Sequence, residues 1–251
     1  MAKSTRKKTA RRSEPKLSAK KGGATRRRPR PVRWLLRWVL GLGLVAVTLV
    51  LLAVSLFAVF NPPTTWYMAS ETRRLGAVDH EWVPLSGVAP VMARAVVAAE
   101  DANFCTHWGF DIAAIRKAIA EGGERGASTI SQQVVKNVYL WHGRSWLRKA
   151  LEAAITPVME LVWPKARIVE VYLNVAEFGE GVFGIDAAAY RYFRVTPAQL
   201  NAEQASRLAA ILPDPKGRSA SNPSDFVLRR ARSIRDGAAT IEADGRAACF
   251  Q

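Results

Sequence analysis

The sequence predicts a mostly α-helical domain held behind a single membrane-spanning helix. Three observations carry that prediction. An uncharged apolar run of 23 residues follows a strongly basic leader. Strand signals are sparse, with no run of alternating β-branched residues and no Asn-Gly hairpin. Apolar residues recur at helical spacing through most of the chain that remains.

The leader comes first. The chain has a net charge of +16, with 37 Lys and Arg against 21 Asp and Glu. Residues 1–37 hold 15 of those cations and one acid, Glu14, so the rest is close to balanced. A segment this polar, broken by Pro and Gly, cannot bury enough surface to offset chain entropy and is expected to be a disordered tail. Alone, it suits either nucleic acid or the cytoplasmic flank of a membrane span. The apolar run behind it decides for the flank and against a nucleic-acid partner. Residues 38–60 carry no charge, with Thr48 and Ser55 as their polar side chains. As a helix they extend roughly 34 Å, enough to cross a hydrocarbon core of about 30 Å. A cleaved signal peptide has a shorter apolar core and a shorter leader.

Arg26, Arg27, Arg28, Arg30, Arg33 and Arg37 crowd the amino side of the run, whereas Arg73 and Arg74 are the near cations beyond it. Positive flanks stay inside, so the tail is expected in the cytoplasm and residues 61–251 outside, beyond a single uncleaved span. Trp34, Trp38, Trp66 and Tyr67 suit interfacial anchoring.

Asn61-Pro62-Pro63 ends the span, and residues 61–84 read as a juxtamembrane linker before a domain at 85–251. Within it, Pro90 opens a helix over 90–102, and Asp111 caps one over 111–120 with Ile112, Ile115 and Ile119 on one stripe. A Gly-rich break, EGGERGAS, precedes a helix started by Ser128 or Thr129, and Thr129 with Gln132 fits a capping box. Further helices are expected at 145–162, 165–175, 183–193, 202–212 and 223–242. The two cysteines, Cys105 and Cys249, could pair in an oxidising compartment, but nothing in the sequence requires it. No Cys-x-x-Cys and no His/Cys cluster suggests a metal site.

Four clusters carry chemistry-bearing residues. Glu100 follows AVVAA, placing a carboxylate at the edge of an apolar helix face, where desolvation raises its pKa. On position alone a solvent-exposed helix-end carboxylate is the stronger reading. Its company shifts that balance: Asp101, Phe104, His107, Gly109 and Asp111 crowd twelve residues without simple periodicity. The second cluster runs from Gly126 through Ser128, Thr129, Gln132 and Gln133 to Lys136 and Asn137. It is a loop entering a helix whose free N–H groups offer an anion site, or else an ordinary capped helix. In the third, Arg148, Lys149 and Glu152, positions 148 and 152 share a helix face as a surface ion pair or as a phosphate clamp beside a carboxylate. The fourth spans Lys165 to Gly184, with Glu170 and Asn174 on one face and three glycines shaping a tight turn.

In their order and spacing, EDANFCTHWGFD, GASTISQQVVKN, RKALE and KARIVEVYLNVAEFGEGVFGIDAAAYRYF resemble the family 51 peptidoglycan glycosyltransferases, in the monofunctional biosynthetic form. The match covers roughly residues 85–230. Bifunctional relatives add a transpeptidase with a Ser-x-x-Lys nucleophile, which here occurs in the tail alone, at Ser4, Ser13 and Ser18.

The resemblance implies a lysozyme-like fold, with a cleft between two lobes. Its substrates would be lipid II and the nascent undecaprenyl-diphosphate glycan. Glu100 would be the base and Glu152 the second carboxylate. Lys136, Arg148 and Lys149 would face the diphosphate. Asp101, Phe104, His107, Gly109, Ser128, Thr129, Gln132, Gln133 and Asn137 would shape the substrate cleft. His107 is expected to hold its loop, and Glu170 and Tyr172 to be mainly structural. The resemblance admits a divalent cation (Mg2+ or Mn2+) and other cell-wall synthesis proteins as partners, and implies no nucleotide or organic cofactor. Arg194 departs from it, standing where the family often has Gly. Two rival readings are a glycan-cleaving enzyme, which has no use for a diphosphate clamp, and a non-enzymatic membrane adaptor.

Overall fold

A computed structural model describes residues 31–122, 128–143 and 145–251. Most of the basic tail, and Gly126 with its neighbours in the Gly-rich break, lie outside the described residues. The chain forms two compact units that divide within the first helix, one ending at Val45 and the other running from Ala46 to Gln251.

Helix α1, Pro31–Val59, starts on a proline, whose missing N–H costs nothing at a first helical position. It is long and apolar enough to cross a membrane. Its aliphatic side chains are exposed along most of its length, which suits an apolar surrounding. Its last turn is capped by the folded domain. The Arg167 guanidinium donates to the carbonyls of Phe57 (3.1 Å) and Phe60 (2.9 Å), and the Trp163 indole donates to that of Val54 (2.8 Å). The Phe57 and Phe60 carbonyls, which the helix end leaves without partners, are thereby satisfied.

The stretch expected to be a linker contains α2, Trp66–Leu75. Thr65 caps it by accepting from the Met68 N–H, and Gly76 closes it at φ 87°. Met68 anchors it in the core at 2% exposure. Tyr67, read from sequence as an interfacial anchor, instead points into the domain, where its hydroxyl donates to Glu177. The chain then runs extended along the fourth cluster. Val83 N–H donates to the Asn174 side chain (2.8 Å) and Leu85 N–H to Glu170 (2.9 Å), so the face those two residues share holds this segment down.

Eight further α-helices follow among the described residues: α3 Pro90–Glu100, α4 Ile112–Ala120, α5 Ile130–Tyr139, α6 Trp146–Val162, α7 Lys165–Val175, α8 Gly184–Phe193, α9 Ala202–Ile211 and α10 Asp225–Ala243. Asp111 caps α4 through the Ala114 N–H, and Thr129 with Gln132 forms the expected capping box on α5. A small antiparallel hairpin, β1 Glu177–Gly179 and β2 Val182–Phe183, occupies the expected tight turn. At Gly184, φ is 82° and a Cβ would sit 3.0 Å from the Asn174 carbonyl, so glycine is required there. Arg194 ends α8 in the left-handed conformation (φ 58°). It is the one non-glycine with positive φ among the described residues, which explains why a glycine is at home in that place.

The helices pack as two groups. α3, α9 and α10 enclose Met92, Val96, Leu208 and Ile234, while α5, α6 and α7 enclose Val134, Met159, Ile168 and Leu173. This is the mostly helical, lysozyme-like, two-lobed class expected. Cys105 and Cys249 form a disulfide across 144 residues, a pairing that nothing in the sequence had required.

Candidate active site

Glu100 is the last residue of α3, where the helix ends because Asp101 turns to φ −162°. Its side chain is 15% exposed. One carboxylate oxygen accepts from the Gln133 amide at 3.0 Å, and the other lies 3.7 Å from Arg230 of α10. The Tyr172 hydroxyl donates to the Gln133 carbonyl at 3.3 Å, which turns the Gln133 NH2 toward Glu100. Burial pushes the Glu100 carboxyl above the ordinary carboxylate range, against the opposing pull of Gln133, Arg230 and Lys136. A carboxylate so placed can take a proton from a hydroxyl near neutral pH.

The loop after Glu100 faces inward. Asp101 is buried with both oxygens engaged, one by His107 Nε2 at 2.8 Å and one by the Ile130 N–H at 3.0 Å. Two of the N–H groups at the start of α5 therefore already have partners: that of Ile130 donates to Asp101, and that of Gln132 to the Thr129 hydroxyl at 3.2 Å. The negative group at this helix start comes from within the protein. Phe104 is fully buried, with the Lys165 ammonium 4.2 Å from its ring centre. Lys165 also donates to the His107 carbonyl (2.8 Å) and pairs with Glu160, which accepts from Ser131. Gly109 has φ 80°, and a Cβ there would lie 2.5 Å from the Thr156 methyl, while its carbonyl accepts from the Thr129 hydroxyl at 2.6 Å. Gln132 spends its side-chain oxygen on the Thr129 N–H (3.1 Å).

Across from this loop, α6 presents the third cluster. Glu152 is 2% exposed and is held by Arg148 (2.9 Å) and by Lys149. The carboxylate is buried while Arg148 is 13% and Lys149 43% exposed, so this is a buried Glu152 held by two cations reaching the surface and not a pair lying wholly on it. Lys149 also donates to the Ser128 hydroxyl at 3.2 Å, and Arg148 to the Gly143 carbonyl at 2.9 Å. Lys136, on α5, lies in the field of both carboxylates. Burial lowers its pKa, while Glu152 and Glu100 favour its charged form. Glu100 and the cations thus meet around Lys136.

Lys136 and Gln133 also line a cavity of about 210 Å3 with Asn137, Tyr67, His142 and Glu177. The Tyr67 hydroxyl donates to Glu177 at 2.5 Å, and its ring stacks on His142 with centroids 3.6 Å apart. Lys216 lies 3.0 Å from Glu71 and 3.5 Å from Glu177. Burial pushes Tyr67 to about 12 and His142 down to about 4, so both are neutral at physiological pH, and burial raises Glu177. The sequence motifs include Glu177 without giving it a role, and sequence reasoning missed Tyr67, His142, Lys216 and Arg230 at the site. Arg230 sits at the edge of the matched stretch, the one signal that pointed to it. A cavity of about 860 Å3, larger than the one at Lys136, runs along α8 and is lined by none of the expected site residues, so size does not mark the chemistry here.

Among the described residues no three or more His, Cys, Asp or Glu gather as a metal site. Glu152, the carboxylate on the cationic side, has both oxygens committed to Arg148 and Lys149. That donor set does not fit a protein-held divalent cation.

A family model described as Transglycosylase matches residues 68–238. The chain is 64% identical over 218 residues to a biosynthetic peptidoglycan transglycosylase of Jannaschia sp. (strain CCS1), covering 87% of this chain and 90% of the relative. A protein of the same description from Caulobacter vibrioides is 45% identical over 223 residues, covering 87% and 97%. One from Pectobacterium atrosepticum is 46% identical over 215 residues, covering 80% and 87%.

Proposed function

The chain belongs to the transglycosylase family, and from that premise we propose that it polymerises lipid II into β-1,4-linked glycan, releasing undecaprenyl diphosphate. It is a glycosyltransferase of peptidoglycan synthesis. The finer reading is that the acceptor 4-hydroxyl attacks the donor anomeric carbon on the face opposite the diphosphate, so that the configuration inverts. Transpeptidation is no part of it.

The observation that carries this reading is a mostly buried carboxylate, Glu100, held by Gln133, and a cationic group, Arg148 and Lys149 held on Glu152, with Lys136 in the field of both. Glu100, oriented by Gln133, would accept the hydroxyl proton as the new bond forms. Negative charge then builds on the departing diphosphate. Lys136, Arg148 and Lys149 would neutralise it, and Glu152 would hold the two α6 cations at fixed positions. Asn137, Ser128 and Thr129 border the same region and would contact substrate. No step in this mechanism runs through a metal.

On this reading the tail lies in the cytoplasm, α1 crosses the inner membrane and the domain works at the periplasmic face. The charge asymmetry about α1 supports that orientation. Trp66, Trp108, Ile119, Trp146, Leu147 and Leu161 are exposed apolar side chains that suit work at a bilayer carrying lipid-linked substrates. The test is incubation of the purified full-length protein with lipid II, without ATP or nucleotide sugar. Polymer is the expected product. Release of soluble muropeptides from finished peptidoglycan, with no polymer from lipid II, would favour cleavage instead.

A further inference from the structure

The Cys105–Cys249 bond takes no part in the chemistry above, yet it joins the loop beside Glu100 to the end of the chain. Cys105 lies in the short 3-10 turn Phe104–Thr106, between Asp101 and His107. Cys249 is two residues from Gln251. The bond is one of several contacts that bring the last residues against this loop and the start of α3. Arg246 donates to the Ala102 carbonyl at 3.0 Å, and Gln251 donates to the Pro90 carbonyl at 2.9 Å. Arg94 of α3 donates to Gln251 at 3.1 Å and pairs with Glu242 at 3.0 Å. Phe250, 2% exposed, packs on Phe104 with ring centroids 6.3 Å apart.

Phe104 is the pivot of this arrangement. On one side it meets the terminal strap through Phe250, and on another it meets Lys165, which also holds the His107 carbonyl. His107 holds Asp101, and Asp101 holds the start of α5. A continuous series of contacts therefore leads from Cys249 to the residue next to Glu100. The exposed contacts at Arg246 and Gln251 are individually weak, so the covalent bond is what makes the strap permanent.

We propose that Cys105 and Cys249 are positioning residues for the reaction: their disulfide holds the C-terminal strap against the 101–109 loop and thereby fixes Asp101 and the adjoining Glu100. The bond forms by thiol–disulfide exchange with a protein disulfide donor outside the membrane. The two cysteines lose two electrons and two protons, and the donor disulfide is reduced to a dithiol. The link to catalysis rests on the role proposed above for Glu100; the structural part does not.

The experiment uses the full-length protein in detergent in three forms: oxidised, reduced with dithiothreitol, and reduced then reoxidised. Each is compared with the Cys105→Ser/Cys249→Ser double variant, well below every thermal midpoint. Reduction is expected to lower kcat for lipid II polymerisation roughly tenfold, since small displacements of a reacting group cost that much or more. The acid limb of the pH profile should move to lower pH as water reaches Glu100. Amide hydrogen exchange should quicken about tenfold or more in residues 101–111 and 129–133 but not in 165–175, because local opening acts on the segment that is released. Reoxidation should reverse all three effects, and the double variant should match the reduced protein and ignore the reductant. Unchanged kcat, acid limb and exchange in the reduced protein would overturn the proposal, even if its melting point falls. So would exchange that quickens uniformly. If the oxidised protein makes no polymer, the functional reading fails, while the exchange pattern still decides the role of the strap. Should the double variant not fold, reversible reduction of the native chain decides it.

Discussion

Asp101→Asn is a sharp test of how the loop beneath the candidate active site is held. The side chain of Asp101 is 2% exposed, and its two oxygens accept from two different donors, His107 Nε2 at 2.8 Å and the Ile130 N–H at 3.0 Å. Asparagine has the same shape but one acceptor. The Ile130 N–H cannot reverse its polarity, so the Asn oxygen must stay there and its NH2 must face His107. His107 can accept that NH2 by carrying its proton on Nδ1, but Nδ1 is buried and has no partner. Two charge-assisted bonds become neutral ones, at roughly 1 kcal/mol each, and one buried N–H is stranded at about 1–3 kcal/mol. The sum is about 4 kcal/mol, which for a domain of this size lowers Tm by roughly 10 °C. Thermal unfolding of the detergent-solubilised variant, followed by circular dichroism, reads this directly. A Tm within about 2 °C of wild type would refute the claim that Asp101 is the internal partner of both donors.

The same geometry sets three further outcomes. Burial raises the Glu100 carboxyl above its usual 4.5, so on raising pH the unfolded chain ionises first and the folded state loses stability through the window above 4.5. Glu100→Gln should therefore be more stable than wild type at pH 7, with the gain shrinking toward pH 4; urea midpoints at both pH values check the sign. Arg148→Ala leaves buried Glu152 with Lys149 as its remaining ion-pair partner, and should cost about 3 kcal/mol by denaturant titration while also slowing polymerisation. Arg194→Gly relieves a left-handed backbone at the end of α8 and should raise stability by up to about 1 kcal/mol, offset in part by loss of the stacking of Arg194 on Tyr190; a lower Tm would contradict that reading.

Much of the helical framework was legible because its signals are local. The Asp111 cap and the Thr129–Gln132 box lie within three residues of what they bind, and both form as expected. The Arg148–Glu152 spacing was equally legible, but its burial was not, because burial depends on what packs against α6. The same limit applies at the start of α5: its N–H groups were evident, and the Asp101 carboxylate that engages Ile130 comes from 29 residues upstream. Tyr67 reaches Glu177 across 110 residues, and the cysteines pair across 144. Pairings of that kind leave no periodicity or spacing to read. Helix α2 was missed for another reason: it is ten residues long, mixed in character and preceded by two prolines, so it resembled linker.

The central claim is that Glu100 takes the acceptor proton while the cations around Lys136 and α6 receive the diphosphate. The most direct measurement is polymerisation of labelled lipid II by Glu100→Gln, with folding checked by its thermal midpoint. The substitution keeps the shape and removes the proton acceptor. A folded protein that makes no polymer above background is therefore expected, a loss of at least the roughly 10²–10⁴-fold that a general base supplies. A folded Glu100→Gln variant that polymerises lipid II at the wild-type rate would contradict it.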